Sequence, residues 1–416
     1  MNVYTDLIYR DLIKDVSDQA KVDAWFKNKG SIYIGFDPSF RSLHLGNYQT
    51  LMVLKRLALA GHPVYAVVGG ITGLIGDPKP SQERQMQAIE TIKSNAVALG
   101  KQLTKYAKAK KVCNNLDFYR GMTVYEYLRD IGKLININYI LEKEIIARRL
   151  ATGISYAEFS YTILQGYDFL YLFEHEKVTC QAGGSDQWGN ITTGLEFIRK
   201  LHGQTPACCF SLNLLVKPDG TKFGKSESGA IYLDPTITSP YQMYQFLINQ
   251  EDSMVEILLK RLTFFTKDEI EKILKTHQDN PALRFGQKQL AIAVTTDVHG
   301  ARECEKAQKI SQALFSGELA KLTNDELYVA LTGTNVFDAE LKEYPLIDLL
   351  VNAHVVPSKS EGRKLISQNS IYVNNQLITD FNQKISQRDG IGQKFSYLRK
   401  GKKQYFLINW PHAKKS

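Results

Sequence analysis

The chain has 416 residues, too many for one hydrophobic core at about 100–200 residues per domain, so two or three domains are expected. Hydrophobic residues make up 44% and charged residues 23%, which excludes extended disorder, and no run of about 18 apolar residues offers a membrane span. The formal charge of +9 is concentrated at the end: residues 344–416 hold twelve Lys or Arg against Asp348, Glu361, Asp380 and Asp389, a net +8 that marks a polyanion-binding module. The cysteines at 113, 180, 208, 209 and 304 form no C-x-x-C pair, and the eight histidines contain no H-E-x-x-H pattern, so a protein-held metal is not expected. Asp6 and Asp11 interrupt any signal core near the start, and the expected location is the cytoplasm.

In chain order, residues 31–37 (Ser-Ile-Tyr-Ile-Gly-Phe-Asp) are β-branched and aromatic and end in a Pro-containing turn, which predicts a strand. From about 46 to 60, Leu51, Leu54 and Ala58, flanked by Val53, Leu57 and Ala60, recur at helical spacing and predict a wide apolar helix face. A near-continuous apolar strand follows at 63–70, so the opening reads as the βαβ unit of a parallel, doubly wound α/β sheet. Glycine clusters at Gly69-Gly70-Ile71-Thr72-Gly73 and Gly183-Gly184 fall where strands 64–70 and 178–184 should end, the edge at which such sheets collect ligands. Between them a helical insertion is expected at about 82–176, with the lysine-rich stretch 101–111 as a solvated face. Residues 239–332 read as helical and 333–343 as a linker. In the tail, apolar helix turns lead through Pro357 to Lys364 into a hairpin at 371–376.

Two short stretches carry phosphate chemistry. His44-Leu45-Gly46-Asn47 sits at a helix start, where unpaired N–H groups and the helix dipole favour an anion, although a histidine there also serves as a simple cap. Lys222-Phe223-Gly224-Lys225-Ser226 follows the turn Lys217-Pro218-Asp219-Gly220 and places two ammonium groups around a glycine, enough to reach one polyphosphate or merely to solvate a loop. Tyr161, Gln165 and Asp168, four and three apart, share a helix face and make a polar wall.

The first two stretches resemble the HIGH and KMSKS signatures of class I aminoacyl-tRNA synthetases. Tyr33-Ile34-Gly35-Phe36-Asp37-Pro38, GGITGLIGDP at 69–78, EFSYTILQGYD at 158–168 and GGSDQWGN at 183–190 resemble the tyrosyl family within that class, in its order and over essentially the whole chain. The resemblance implies a Rossmann-like doubly wound parallel-sheet catalytic domain at 1–230 with a helical insertion. It further implies an α-helical anticodon-arm domain at 231–332, a linker at 333–343, and a small basic α+β RNA-binding domain of small-ribosomal-protein-four type at 344–416.

It also implies roles. Tyr33 and Asp168 would bond a substrate phenol, while Asp77, Tyr161 and Gln165 would hold its α-ammonium. Gln187 would serve the carboxylate. ATP would be held by Gly35, Asp37, Ser39, His44, Gly46, Asn47, Gly184, Asp186, Lys222, Gly224, Lys225 and Ser226. His44, Asn47, Lys222 and Lys225 would stabilise the reacting phosphates, with Mg²⁺ on ATP and no protein cage for it. Lys359, Arg363, Lys364, Lys402 and Lys403 would grip RNA backbone. A carboxylate already ionised needs no general base to attack the α-phosphate, so alignment and electrostatics carry the rate. The expected partners are L-tyrosine, ATP, tRNA(Tyr) and a second copy of the chain, without a membrane. Two other readings are an RNA-binding or splicing factor retaining the fold, and a tryptophanyl-type relative. The chain departs from the family pattern at Asn47, where many relatives carry His, and at 79–84, to which no role is assigned.

Overall fold

The computed structural model describes residues 2–78, 86–150, 153–226, 229–332, 335–401 and 404–411, with backbone alone at 144–145, 225–226 and 320. Lys79 to Arg84, Lys402 and Lys403, and the side chains of Lys225 and Ser226, therefore lie outside the described residues. The chain divides into two units, 1–237 with 250–290, and 238–249 with 291–416.

The first unit is built on a six-stranded sheet: β1 Ile13–Val16, β2 Ile32–Phe36, β3 Val64–Val68, β4 Lys111–Asn114, β5 Cys180–Gly184 and β6 Cys208–Leu212. Its order is β1-β6-β5-β2-β3-β4, with β1 antiparallel to β6 and the other pairs parallel. The order reverses between β2 and β5, and a ligand crevice is expected there, beyond the carboxyl ends of those strands. β3 is buried at every position, as the unbroken apolar run Val64 to Val68 requires of a strand covered on both faces. Helices α1 Leu45–Leu59, α2 Ile89–Ala107, α3 Tyr156–Glu176 and α4 Trp188–His202 connect the strands.

The stretch expected as a helical insertion is interrupted by β4, which pairs in parallel with β3 from Tyr65↔Lys111 to Val68↔Asn114. The lysine-rich run therefore divides. Lys101 and Lys105 lie on the exposed face of α2, Lys108 closes that helix in a left-handed conformation, and Lys111 opens the edge strand.

Helix α5, Asp252–Leu262, belongs to this first unit although the sequence reading places 231–332 in one helical domain. Buried arginines account for the difference. Arg10 donates to the carbonyls of Lys260, Thr263 and Phe265 at 2.6, 3.1 and 2.6 Å, satisfying orphan acceptors at the end of α5. Arg56 on α1 also donates to the Thr263 carbonyl and pairs with Asp6 at 3.1 Å, while burial draws its pKa down to about 10.

In the second unit, helices Pro240–Ile248, Ala301–Ser316 and Asn324–Leu331 accompany a five-stranded sheet. Its strands are β7 Asn335–Asp338, β8 Ile371–Val373, β9 Gln376–Leu377, β10 Phe395–Lys400 and β11 Gln404–Asn409, in the order β9-β8-β10-β11-β7. The expected linker thus contains a strand: Asn335 to Asp338 pair in parallel with Phe406 to Asn409. The hairpin expected at 371–376 is β8–β9, with Asn374 and Asn375 both at positive φ in its two-residue turn. Ile310, Leu327 and Leu331 pack with Phe395, Tyr397 and Leu407 in one core, so this helical segment is built onto the sheet.

Candidate active site

Adjacent strands place a row of side chains on one sheet face: Tyr65, Tyr33, Gln181 and Cys209 are register partners across β3, β2, β5 and β6. Tyr33 is 1% exposed, and its hydroxyl finds no hydrogen-bond partner among the described residues. Helix α3 brings Asp168 towards the same place. Its Oδ2 accepts from Asn115 Nδ2 at 2.9 Å, while Oδ1 has no partner among the described residues. Burial pushes the Asp168 carboxyl well above the ordinary carboxylate range, with Asp37 adding to the rise and the Asn115 hydrogen bond opposing it. The side-chain oxygens of Gln165 and Gln181 are likewise buried without partners among the described residues. A folded chain keeps few such groups, because each costs about 1–3 kcal/mol.

A hydrogen-bonded chain links the neighbouring side chains. Tyr161 donates to Asp37 Oδ2 at 2.9 Å, Thr72 to Asp37 Oδ1 at 2.8 Å, and Asn115 to Thr72 at 3.2 Å. Asn115 Oδ1 also accepts from the Ile71 N–H at 2.9 Å, tying the glycine-rich turn after β3 to the turn after β4. Asn115, Thr72 and Gln181 are absent from the residues expected on sequence grounds. Asn and Thr beyond a strand read as ordinary turn residues, and only strand register brings Gln181 beside Tyr33.

Asp77 occupies a second cluster. Gln187 donates to its Oδ2 at 2.7 Å, and Asn190 donates to its Oδ1 at 3.3 Å and to Gln187 Oε1 at 3.0 Å. Thr162 on α3 donates to Asn190 at 2.7 Å, joining GGSDQWGN to the wall helix. Lys143 donates to the Gly189 carbonyl and, at 2.6 Å, to Thr193 Oγ1. Burial lowers its pKa to about 7 against the opposing pull of Asp77. Carboxyl groups at 37, 77 and 168 all act on buried Tyr161, an arrangement that can answer a cation near Asp37 and Asp77 and a hydroxyl near Tyr33 and Asp168.

The residues expected to meet phosphate gather at the start of α1. His44 is its N-cap: Nδ1 accepts from the Gly46 N–H at 3.0 Å, and Asn47 Oδ1 accepts from the His44 N–H at 3.1 Å. Both side chains therefore cap the helix. With Nδ1 accepting, the proton of the neutral imidazole lies on Nε2, and Asn47 keeps its amide donor. Gly224, at φ +92°, lies against this turn, and a Cβ there would stand 2.5 Å from the Gly46 nitrogen. Backbone bonds from Leu45 N to Ile231 O (2.7 Å) and from Ile231 N to Gly224 O (2.9 Å) dock the 222–226 loop on the helix start. Lys222 pairs with Asp186 at 3.1 Å while 69% exposed, so it can exchange that partner for an incoming phosphate. At Gly35, in β2, an added Cβ would meet nothing within 4 Å, which leaves open space at the crevice. Ser39 follows Pro38 in the exposed turn beyond β2, with its N–H bonded to the Asp37 carbonyl at 2.9 Å.

A Rossmann-ordered sheet with a capped helix start, a lysine loop and a polar slot at its switch point defines a class I aminoacyl-tRNA synthetase core. The family described as tRNA synthetases class I (W and Y) matches residues 27–316, and the tyrosine–tRNA ligase SYY-like C-terminal domain matches 326–408. A tyrosine–tRNA ligase of Ureaplasma urealyticum is 50% identical over 412 residues, covering 98% of this chain and 99% of the relative. One of Mycoplasmoides gallisepticum is 41% identical over 416 residues, covering 99% and 100%. This chain belongs to the tyrosine–tRNA ligase family. Among solved structures, a C-terminally truncated mitochondrial tyrosyl-tRNA synthetase of Aspergillus nidulans is similar with a TM-score of 0.67 and 28% identity, covering 75% of this chain and 94% of that one. A tryptophanyl-tRNA synthetase of Encephalitozoon cuniculi shares the fold at a TM-score of 0.55 and 13% identity, covering 78% and 89%.

Proposed function

We propose that the chain joins L-tyrosine to ATP, giving tyrosyl-adenylate and pyrophosphate, and then moves the tyrosyl group to a hydroxyl of the 3′-terminal adenosine of tRNA(Tyr) as AMP leaves. The observation that carries this reading is the pair of buried groups left without partners among the described residues, the Tyr33 hydroxyl and Asp168 Oδ1. A phenol answers both: its oxygen accepts from Tyr33 and its O–H donates to Asp168. An indole or a phenyl ring leaves at least one of them unpaired.

In this reading the α-ammonium group goes to Asp77, Tyr161 and Gln165, with Asp37 behind Tyr161, and the carboxylate lies beside Gln187. That carboxylate attacks the α-phosphorus of ATP as the bond to pyrophosphate breaks. His44 Nε2–H and the Asn47 amide donate to the phosphates from the start of α1, and Lys222 and Lys225 neutralise the departing pyrophosphate. Asp186 takes the ribose once Lys222 has turned to phosphate. Gly35, Gly46, Gly184 and Gly224 let ATP approach the backbone between Asp37, Ser39 and Ser226. Mg²⁺ accompanies ATP on its phosphate oxygens.

For the tRNA, the helical segments between 231 and 332 take the anticodon arm and the module from 344 takes RNA backbone. Lys359, Arg363 and Lys364 lie exposed on helix Lys359–Ser367, which supports the second assignment. Lys402 and Lys403 add two further cations to the same module in sequence. A homodimer, with one tRNA spanning both copies, is favoured by the large apolar side chains left exposed between 124 and 156: Val124, Tyr125, Leu128, Ile137 and Tyr156. We place the enzyme in the cytoplasm; among the described residues no helix is long and apolar enough to cross a membrane. Charging of tRNA(Tyr) with labelled tyrosine tests the whole reading, and a chain that forms the adenylate without charging any tRNA would refute its second half.

A further inference from the structure

Arg261, on α5, is 3% exposed and reaches three separate segments of the first unit. Its Nη2 donates to Asp11 Oδ2 at 2.7 Å, and its Nη1 donates to the Leu214 carbonyl at 3.2 Å and, at the longer distance of 3.5 Å, to Gln49 Oε1. Gln49 in turn donates to the Asn213 carbonyl at 2.7 Å, and Asn213 Nδ2 donates to Asp11 Oδ1 at 3.0 Å. The carbonyls of Asn213 and Leu214, immediately beyond β6, are thus held from α1 and α5 together.

Both flanks of the crevice hang on these two residues. Gln49 is two positions beyond Asn47 on α1. Leu214 leans on Gly184, where an added Cβ would meet its Cδ2 at 3.0 Å, and the next carbonyl, Leu215, accepts from the Phe223 N–H at 3.0 Å. The loop carrying Lys222 is therefore rooted on the segment that Arg261 pins to the helix carrying His44 and Asn47.

We propose that Arg261 is a positioning residue for ATP, setting the spacing between the root of the Lys222 loop and the start of α1. The inference rests on the proposed adenylation and adds that a helix outside the sheet crossovers sets the geometry of the phosphate site. The guanidinium touches no substrate, and no element of the Tyr33, Asp168 and Asp77 clusters is among its partners. Its removal should therefore act on ATP and spare tyrosine.

The test is tyrosine-dependent ATP–pyrophosphate exchange per active site in the full-length chain, with Arg261→Met, Arg261→Lys and Gln49→Leu. Because small misplacements at a reacting centre can cost about 10²-fold, Arg261→Met should lower kcat/KM for ATP about tenfold or more, with KM for tyrosine held within about twofold. Arg261→Lys can serve Asp11 but not all three partners, and should fall between Met and the parent. Gln49→Leu frees the Asn213 carbonyl with Arg261 in place and should reproduce the ATP effect, which decides the matter if Arg261→Met does not fold. Parental ATP parameters in the variants, or equal loss towards both substrates, would overturn the positioning role. Absence of exchange in the parent chain would instead refute the adenylation reading beneath it.

Discussion

Replacing Tyr33 by Phe removes one hydroxyl and leaves the ring, which packs beside Phe169 at a centroid distance of 5.6 Å. That hydroxyl has no partner among the described residues, so no internal hydrogen bond is lost, and removing a buried unpaired group should leave the fold as stable as the parent or up to about 1–3 kcal/mol more stable. Bound tyrosine loses one neutral hydrogen bond of about 0.5–1.5 kcal/mol, so kcat/KM for tyrosine should fall by a factor of about 2 to 12. Phenylalanine gains, because the parent must bury the Tyr33 hydroxyl against it unpaired. Together the two effects, about 0.5–1.5 and 1–3 kcal/mol, amount to about 1.5–4.5 kcal/mol, narrowing the preference for tyrosine over phenylalanine at least about tenfold. Pyrophosphate exchange with each amino acid gives the ratio, and thermal unfolding gives the stability. An unchanged ratio, or a loss of several kcal/mol in stability, would refute the assignment of this hydroxyl to the substrate.

Asp168→Asn should behave differently. The folded-state pKa of Asp168 is raised by burial, so its favourable contribution to folding is present below the ordinary carboxylate pKa and drains away as pH rises through the raised value. The Asn variant should melt above the parent near neutral pH and converge with it towards acid, while kcat/KM for tyrosine falls about 10- to 150-fold; a variant melting below the parent at neutral pH contradicts this. Gly224→Ala would place a methyl 2.5 Å from the Gly46 nitrogen at φ +92°. It should cut exchange about tenfold or more with KM for tyrosine unchanged, and normal exchange would show that the loop does not need its seat on α1. Alanine at Lys359, Arg363 and Lys364 together should raise KM for tRNA and flatten the salt dependence of tRNA binding by about two to three in logarithmic slope, leaving exchange intact. An unaltered salt slope would place the RNA contact elsewhere.

The sequence made some elements of this fold legible and hid others for identifiable reasons. Strands β2 and β3 announce themselves by β-branched, aromatic and apolar runs, and β5 by the glycines that mark its end. Edge strands β1 (Ile-Lys-Asp-Val) and β4 (Lys-Val-Cys-Asn) carry charge or stop after four residues, so they merge with their surroundings. β7 lay within an expected linker because its pairing partner, β11, is about 70 residues away and nothing local signals the match. Within the site, the wall of Tyr161, Gln165 and Asp168 follows from helical spacing, and Tyr33 from its strand. Asn115, Thr72 and Gln181 depend on which strand lies beside which, and spacing along the chain does not encode that. The boundary of the helical segment moved for a related reason: α5 is drawn to the first unit by Arg10, Arg56 and its own Arg261, whose partners are more than 200 residues distant in Arg10, Arg56 and Asp11 alike.

The most direct test is the exchange of labelled pyrophosphate into ATP by the purified chain, offered tyrosine, phenylalanine or tryptophan in separate reactions. Strong exchange with tyrosine and only trace exchange with the other two is the predicted outcome. Equal exchange with phenylalanine, or none with tyrosine at saturation, would contradict the claim that Tyr33 and Asp168 together select a phenol.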